Sequence, residues 1–133
     1  LTGSIASEIG LLTGLTYLGL GIWDSDGIIP SEIGLLTSLE ELYLGMDPFT
    51  GSFPSEIGLL VHLTSLALHA NPFPSELGLL TSLTYLHLSE NYLEGSIPSQ
   101  IWLLTSLTYL RLDWNKFSGT IPSEIGLLTR LTE

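Results

Sequence analysis

Residues 80–103 read LTSLTYLHLSENYLEGSIPSQIWL, and the spacing of their apolar residues decides the architecture. Leu80, Leu83, Leu86, Leu88, Asn91, Leu93, Gly95, Ile97, Pro98 and Ile101 stand at the marked positions of a phrase that recurs through the chain. Its opening leucine returns as Leu12, Leu36, Leu60, Leu80, Leu104 and Leu128, at intervals of 24, 24, 20, 24 and 24 residues. A period in the twenties with apolar residues at fixed offsets is the signature of a solenoid. No single copy can bury its own apolar face, so each coil depends on its neighbours. The chain therefore divides into five full repeats, 12–35, 36–59, 60–79, 80–103 and 104–127, with partial repeats at both ends, in one domain spanning 1–133.

Each part of the phrase predicts a local structure. Residues 85–89 alternate, with Leu86 and Leu88 pointing one way, which predicts a short strand with one buried face. Stacked repeats would pair these strands into a parallel sheet, with about 4.8 Å per step. Asn91 stands where the chain turns away, and its amide can both donate to and accept from neighbouring backbone. Residues 95–98 are too rich in Gly and Pro for a standard helix, and 99–103 fit one 3₁₀-like turn.

The phrases LTSLTYLHLSENYLEGSIPSQI (80–101) and LTSLTYLRLDWNKFSGTIPSEI (104–125) resemble the plant-specific class of leucine-rich repeat, marked by the Gly-x-Ile-Pro segment after the Asn turn. That class is similar to receptor-like kinase ectodomains, polygalacturonase-inhibitor-like proteins and algal leucine-rich repeat arrays. The resemblance implies a right-handed superhelix with a parallel β-sheet on the concave face and short 3₁₀ turns on the convex side. It also implies a non-enzymatic recognition module of a cell-surface or secreted protein that binds a protein or peptide ligand. Fold alone names no ligand.

Several repeats depart from the pattern. Trp23 and Ser25 replace the ladder Asn and its partner Leu in the first repeat, which should weaken that coil. Asp47 replaces the Asn of the second and, ionised, only accepts hydrogen bonds. The third repeat is four residues short, Phe73 meeting Pro74 directly; the convex side is expected to pinch there while the strand survives. Solenoids normally carry polar caps, and the chain reads as an uncapped fragment.

Fourteen acidic residues against three basic ones give a formal net charge of −11. Nucleic acid and anionic membrane are poor partners for such a surface. Thr, Ser, Gly and Glu break every leucine cluster, so no run approaches the roughly 18 residues of a membrane span. Cysteine is absent, which excludes disulfides and thiolate chemistry.

Non-leucine strand positions fall into four columns: Tyr17, Glu41, Ser65, Tyr85, Tyr109; Gly19, Tyr43, Ala67, His87, Arg111; Gly21, Gly45, His69, Ser89, Asp113; and Ile22, Met46, Ala70, Glu90, Trp114. The late coils are rich in the residue types that anchor interfaces. Tyr85, His87, Tyr109, Arg111, Asp113 and Trp114 are therefore the expected ligand-facing patch. No catalytic residues are expected. A His69, Ser89, Asp113 triad would place Ser between His and the carboxylate, which is the wrong order. No metal site or cofactor is expected either, because His69, His87 and Asp113 lack zinc-type local spacing.

Three further columns have simple readings. Glu8, Glu32, Glu56, Glu76 and Glu124, with Gln100 intervening, read as a solvated acidic edge rather than a calcium ladder. Thr13, Thr37, Thr81, Thr105 and Thr129 form one threonine array and Thr16, Thr64, Thr84, Thr108 and Thr132 another; ice binding is a remote reading of them, since β-branched residues suit extended backbone anyway. Finally, the residue after Ile-Gly is usually polar in the plant-type pattern. Here it is Leu11, Leu35, Leu59, Leu79 and Leu127, with Leu103 after Trp102 in the same role. Aligned, these six leucines form an apolar stripe of roughly several hundred Å², from which self-association into a homo-oligomer is expected.

Overall fold

In a computed structural model of the chain, described here for residues 5–21, 28–45, 53–68 and 74–133, each phrase becomes one coil. Five strands form a parallel sheet in the order β1 (Tyr17–Gly21), β2 (Glu41–Gly45), β3 (Ser65–Leu68), β4 (Tyr85–His87) and β6 (Tyr109–Arg111). The register follows the sequence period: Leu18 faces Leu42, then Leu66, Leu86 and Leu110. The shortened third repeat does not disturb it, as Ser65, Leu66 and Ala67 still pair with Tyr85, Leu86 and His87. The strand survives as expected; the proposed pinch at Phe73, like the calls on Ile22, Trp23, Ser25, Met46, Asp47, His69 and Ala70, lies outside the described residues.

Opposite the sheet lies a row of 3₁₀ turns at Ser7–Leu11, Ser31–Leu35, Ser55–Leu59, Ser75–Leu79, Ser99–Leu103 and Ser123–Leu127. A proline precedes each turn from the second onward, with φ between −59° and −74°. Such a residue enters a turn without wasting an N–H, because the first donors of a turn have no internal partner. Between sheet and turns runs one core in which Leu36, Leu39, Leu42, Leu60, Leu63, Leu66, Leu80, Leu83, Leu86, Leu104 and Leu107 are fully buried. Each comes from a fixed offset in the phrase, so the core is continuous from coil to coil.

Two ladders stitch the coils. The Asn115 amide donates to the carbonyls of Leu88 and Leu112 at 2.8 and 2.9 Å, while its Oδ1 accepts the Leu93 N–H at 3.2 Å. Asn91 donates likewise to Leu68 and Leu88, both at 2.8 Å. Among the described residues its buried Oδ1 has no hydrogen-bond partner. The second ladder is threonine: the hydroxyls of Thr64, Thr84, Thr108 and Thr132 each donate, at 2.9–3.1 Å, to the carbonyl one coil earlier. A second, two-stranded sheet pairs β5 (Glu94–Gly95) with β7 (Lys116–Phe117) beyond the Asn turn. Among the described residues no helix is long and apolar enough to cross a membrane.

Candidate functional site: the strand face

Because alternate strand residues point to opposite sides, burying the leucines turns Tyr17, Glu41, Ser65, Tyr85 and Tyr109 outward in register, and beside them Gly19, Tyr43, Ala67, His87 and Arg111. The first two columns read from the sequence are thus neighbours in space. Tyr85 and Tyr109 stack with ring centroids 4.4 Å apart and planes within 8°. The His87 ring meets Tyr85 edge-on at 6.3 Å. Partial burial and then the adjacent Tyr109 push the Tyr85 phenol above its ordinary pKa.

Arg111 is held in place by Asp113. Its Nε donates to Oδ1 at 2.8 Å and an η nitrogen to Oδ2 at 3.4 Å. Asp113 Oδ1 also accepts the hydroxyl of buried Ser89 at 2.5 Å. The Ser89 hydrogen bond, and then that of Arg111, hold the Asp113 carboxyl below the usual aspartate range; the same contact to Asp113 raises the Arg111 guanidinium. Tyr85, His87, Tyr109, Arg111 and Asp113 therefore form one contiguous patch. Trp114 belongs to a separate hollow of about 480 Å³, lined by Glu90, Asn91, Tyr92 and Trp114, past the strand ends.

The sequence reading passed over the other end of the face. Tyr17 and Tyr43 approach to 5.7 Å, and the Tyr43 hydroxyl shares a 2.7 Å hydrogen bond with Ser65. Between Tyr43 and the Tyr85–His87 pair lies a shallow hollow of about 280 Å³ over Gly45 and Ala67. The signal was present: Tyr43 and Ala67 occupy the same column as His87 and Arg111, and a small residue between aromatics leaves a gap.

The six stripe leucines are all exposed, at 53–59% for Leu35, Leu59, Leu79, Leu103 and Leu127 and 79% for Leu11. Each interior one leans on the previous coil. A Cβ added at Gly10, Gly34, Gly58 or Gly78 would stand 2.9–3.2 Å from the Cδ1 of Leu35, Leu59, Leu79 or Leu103, respectively. The glycine of the phrase is thus the seat of the next coil's leucine. In the fifth turn this position is Trp102, which is buried in the core.

The remaining columns have structural uses. In the turns beginning at Ser7, Ser31, Ser55, Ser75 and Ser123, the serine hydroxyl donates to the next glutamate at 3.1–3.3 Å. One threonine array supplies the backbone ladder through Thr64, Thr84, Thr108 and Thr132; Thr13, Thr37, Thr81, Thr105 and Thr129 are exposed, as are Thr84, Thr108 and Thr132.

Comparison with known proteins agrees with this architecture. The Leucine Rich Repeat family profile matches residues 82–104 and 106–128. No curated protein sequence matches the chain. Among solved structures, the leucine-rich repeat ectodomain of the Arabidopsis receptor kinase HAESA, in complex with an extended IDA peptide hormone, is 38% identical with a TM-score of 0.84. The match covers 98% of this chain and 23% of that one. A leucine-rich repeat protein of Leptospira interrogans is 34% identical with a TM-score of 0.88, covering 97% of this chain and 33% of that one. A plant ice-binding protein is 38% identical with a TM-score of 0.65, covering 75% and 34%. The chain thus spans at most about a third of the length of these solved structures. It is a leucine-rich repeat solenoid that resembles the ectodomains of plant receptor kinases.

Proposed function

We propose that this solenoid is a non-enzymatic recognition module that binds a peptide or protein segment on its strand face, within a longer cell-surface or secreted protein. The carrying observation is the ordered patch of Tyr85, His87, Tyr109, Arg111 and Asp113. Stacking fixes the tyrosines and a two-point ion pair fixes the arginine, so little side-chain freedom is lost when a partner docks. Tyr and Arg are the residues most enriched among binding anchors. The two hollows described among these residues are open to solvent, unlike the enclosed clefts that bury small substrates. The HAESA ectodomain was solved with a peptide hormone, which supports the same class of ligand here. The test is selection of a displayed peptide library on the chain, followed by binding of the enriched peptides to Tyr109→Ala and Arg111→Ala. Loss of binding with an unchanged melting temperature is expected; full-strength binding to both variants refutes the patch.

A second reading is self-association through Leu11, Leu35, Leu59, Leu79, Leu103 and Leu127, which the exposure of all six supports. Light scattering at micromolar concentration should show an oligomer that Leu→Asn substitutions along the stripe dissolve. A monomer ends this reading. Ice binding has support only in the exposed threonine column and the plant ice-binding neighbour; unchanged ice-crystal growth in a solution of the protein disposes of it.

A further inference from the structure

At and past the strand ends the chain carries Glu90, Tyr92, Glu94, Arg111, Asp113, Trp114 and Lys116 within two successive coils, and their charges do not cancel. Arg111 pairs with Asp113, and Lys116 with Glu94 at 3.4 Å. Among the described residues Glu90 makes no ion pair, and it lines the 480 Å³ hollow together with Tyr92 and Trp114. Lys116 already stands 5.5 Å from the centre of the Tyr92 ring, so this ring accepts a cation on the face Lys116 occupies.

The backbone adds an independent observation. Glu90 and Trp114 sit at φ 58° and 57°, the left-handed region, and are the two non-glycine residues found there among the described residues. Such a conformation disfavours a bulky side chain, and strained positions persist where the surroundings or the function require them. Trp114 gains no burial in return, being 80% exposed. The left-handed conformation turns the chain at the same point of two successive coils, and at Trp114 it holds a large aromatic side chain in open solvent beside a carboxylate that makes no ion pair among the described residues.

We infer that the hollow formed by Glu90, Tyr92 and Trp114 is a receptor site for a guanidinium group, the side chain of an arginine on a partner peptide. A guanidinium is planar and weakly hydrated; it stacks on an aromatic face while its paired N–H groups reach a carboxylate. A lysine ammonium is more strongly hydrated and lacks the planar match. The overall charge of −11 adds attraction for a cationic partner. The site shares Trp114 with the expected ligand patch, but Glu90 and Tyr92 belong to it alone, and it stands whether or not the strand face binds a peptide.

The test is an NMR titration of the 133-residue chain with N-acetyl-arginine amide, N-acetyl-lysine amide and the neutral isostere N-acetyl-citrulline amide. The readout is the Trp114 indole N–H, assigned with Trp114→Phe. The arginine compound should move that signal saturably, and the citrulline compound should bind roughly fivefold or more weakly. Glu90→Gln should weaken arginine binding roughly threefold or more, as should Tyr92→Leu, while Tyr17→Ala at the far end of the sheet leaves it unchanged. Lysine should bind more weakly than arginine. No saturable shift with arginine, equal binding of citrulline or lysine, or binding untouched by Glu90→Gln each overturns the assignment. A failure here leaves Tyr109→Ala and Arg111→Ala as the separate test of the strand face.

Discussion

Gly34→Ala should destabilise the solenoid, although alanine is the better residue for most backbone. A Cβ at Gly34 would lie 2.7 Å from the Glu56 Cβ, 2.8 Å from the Glu56 carbonyl oxygen and 3.2 Å from the Leu59 Cδ1. The leucine methyl can rotate aside. The carbonyl cannot, because it is fixed in the next coil's 3₁₀ turn. Two adjacent turns must therefore part by several tenths of an ångström, loosening the packing of Ile33 and Ile57, both buried. Overpacking of this kind costs about 1–3 kcal/mol. Reduced entropy of the unfolded chain returns about 0.4–1 kcal/mol, leaving a net loss centred on about 1.3 kcal/mol within a span of about 0–2.6 kcal/mol. The internal control is Gly126, at the same position of the phrase, where an added Cβ meets nothing within 4 Å. There only the entropy change acts, and Gly126→Ala in this 133-residue chain should gain about 0.4–1 kcal/mol. Gly78→Ala should fall between them, since its nearest contact is the Leu103 methyl at 2.9 Å and the Gln100 carbonyl is 3.4 Å away. Urea unfolding followed by circular dichroism reads all three. If Gly34→Ala is as stable as wild type, the coils are not seated on one another through these glycines and the account of the leucine stripe fails with it.

Four further outcomes follow from the same geometry. Leu86→Ala, at a fully buried position in the central strands, should cost about 2–5 kcal/mol in the same unfolding assay; a cost under about 1 kcal/mol would show that the coils repack freely. Trp114→Gly relieves the positive φ and loses almost no burial, so stability should be unchanged or raised by up to about 1 kcal/mol; a marked loss would mean that the indole serves the fold. Asp113 titrates below the usual aspartate range when folded, so the unfolded chain takes up its proton first as pH falls. Its stabilising contribution is complete above the ordinary aspartate pKa and disappears as pH drops through the depressed folded value. Thermal melts across that acid range should show Asp113→Asn with a shallower decline than wild type, and parallel curves would refute the assignment. Calcium should leave the melting temperature unchanged if the Ser–Glu pairs of the turns are a solvated edge; a calcium-dependent rise would instead indicate a ligand ladder.

The coil architecture was legible because two periods coincide. Alternation over 85–89 fixed which strand residues face the core, and the leucine intervals fixed which residues share a column; the observed pairing of Tyr85 with Tyr109 and of His87 with Arg111 follows directly. The turn at Ser99–Leu103 was equally readable from the run of Gly and Pro before it. Other features depend on neighbouring coils and leave no local trace. The strand at Tyr85 stops at His87, short of the alternating segment, because the Asn91 amide takes the Leu88 and Ser89 carbonyls and Glu90 turns the chain. The small sheet of Glu94–Gly95 with Lys116–Phe117 has two residues per strand, too few for a periodicity. The glycine of the Ile-Gly-Leu phrase admits a leucine from the next coil, a use that depends on the neighbouring repeat and leaves no local trace. Column arithmetic grouped six residues as the expected ligand patch, and five of them share one surface. Trp114 stands apart, because a positive φ redirects a side chain in a way that no residue count reveals.

The central claim is that the strand face is where this solenoid meets its partner. The most direct measurement is NMR mapping of a library-selected peptide on the isotope-labelled chain. Chemical-shift changes should concentrate on Tyr85, His87, Tyr109, Arg111 and Asp113, with those of the Leu11 to Leu127 stripe and the exposed threonine column near zero. Changes that instead follow the leucine stripe or the 3₁₀ turns, with the tyrosine and arginine signals still, would contradict it.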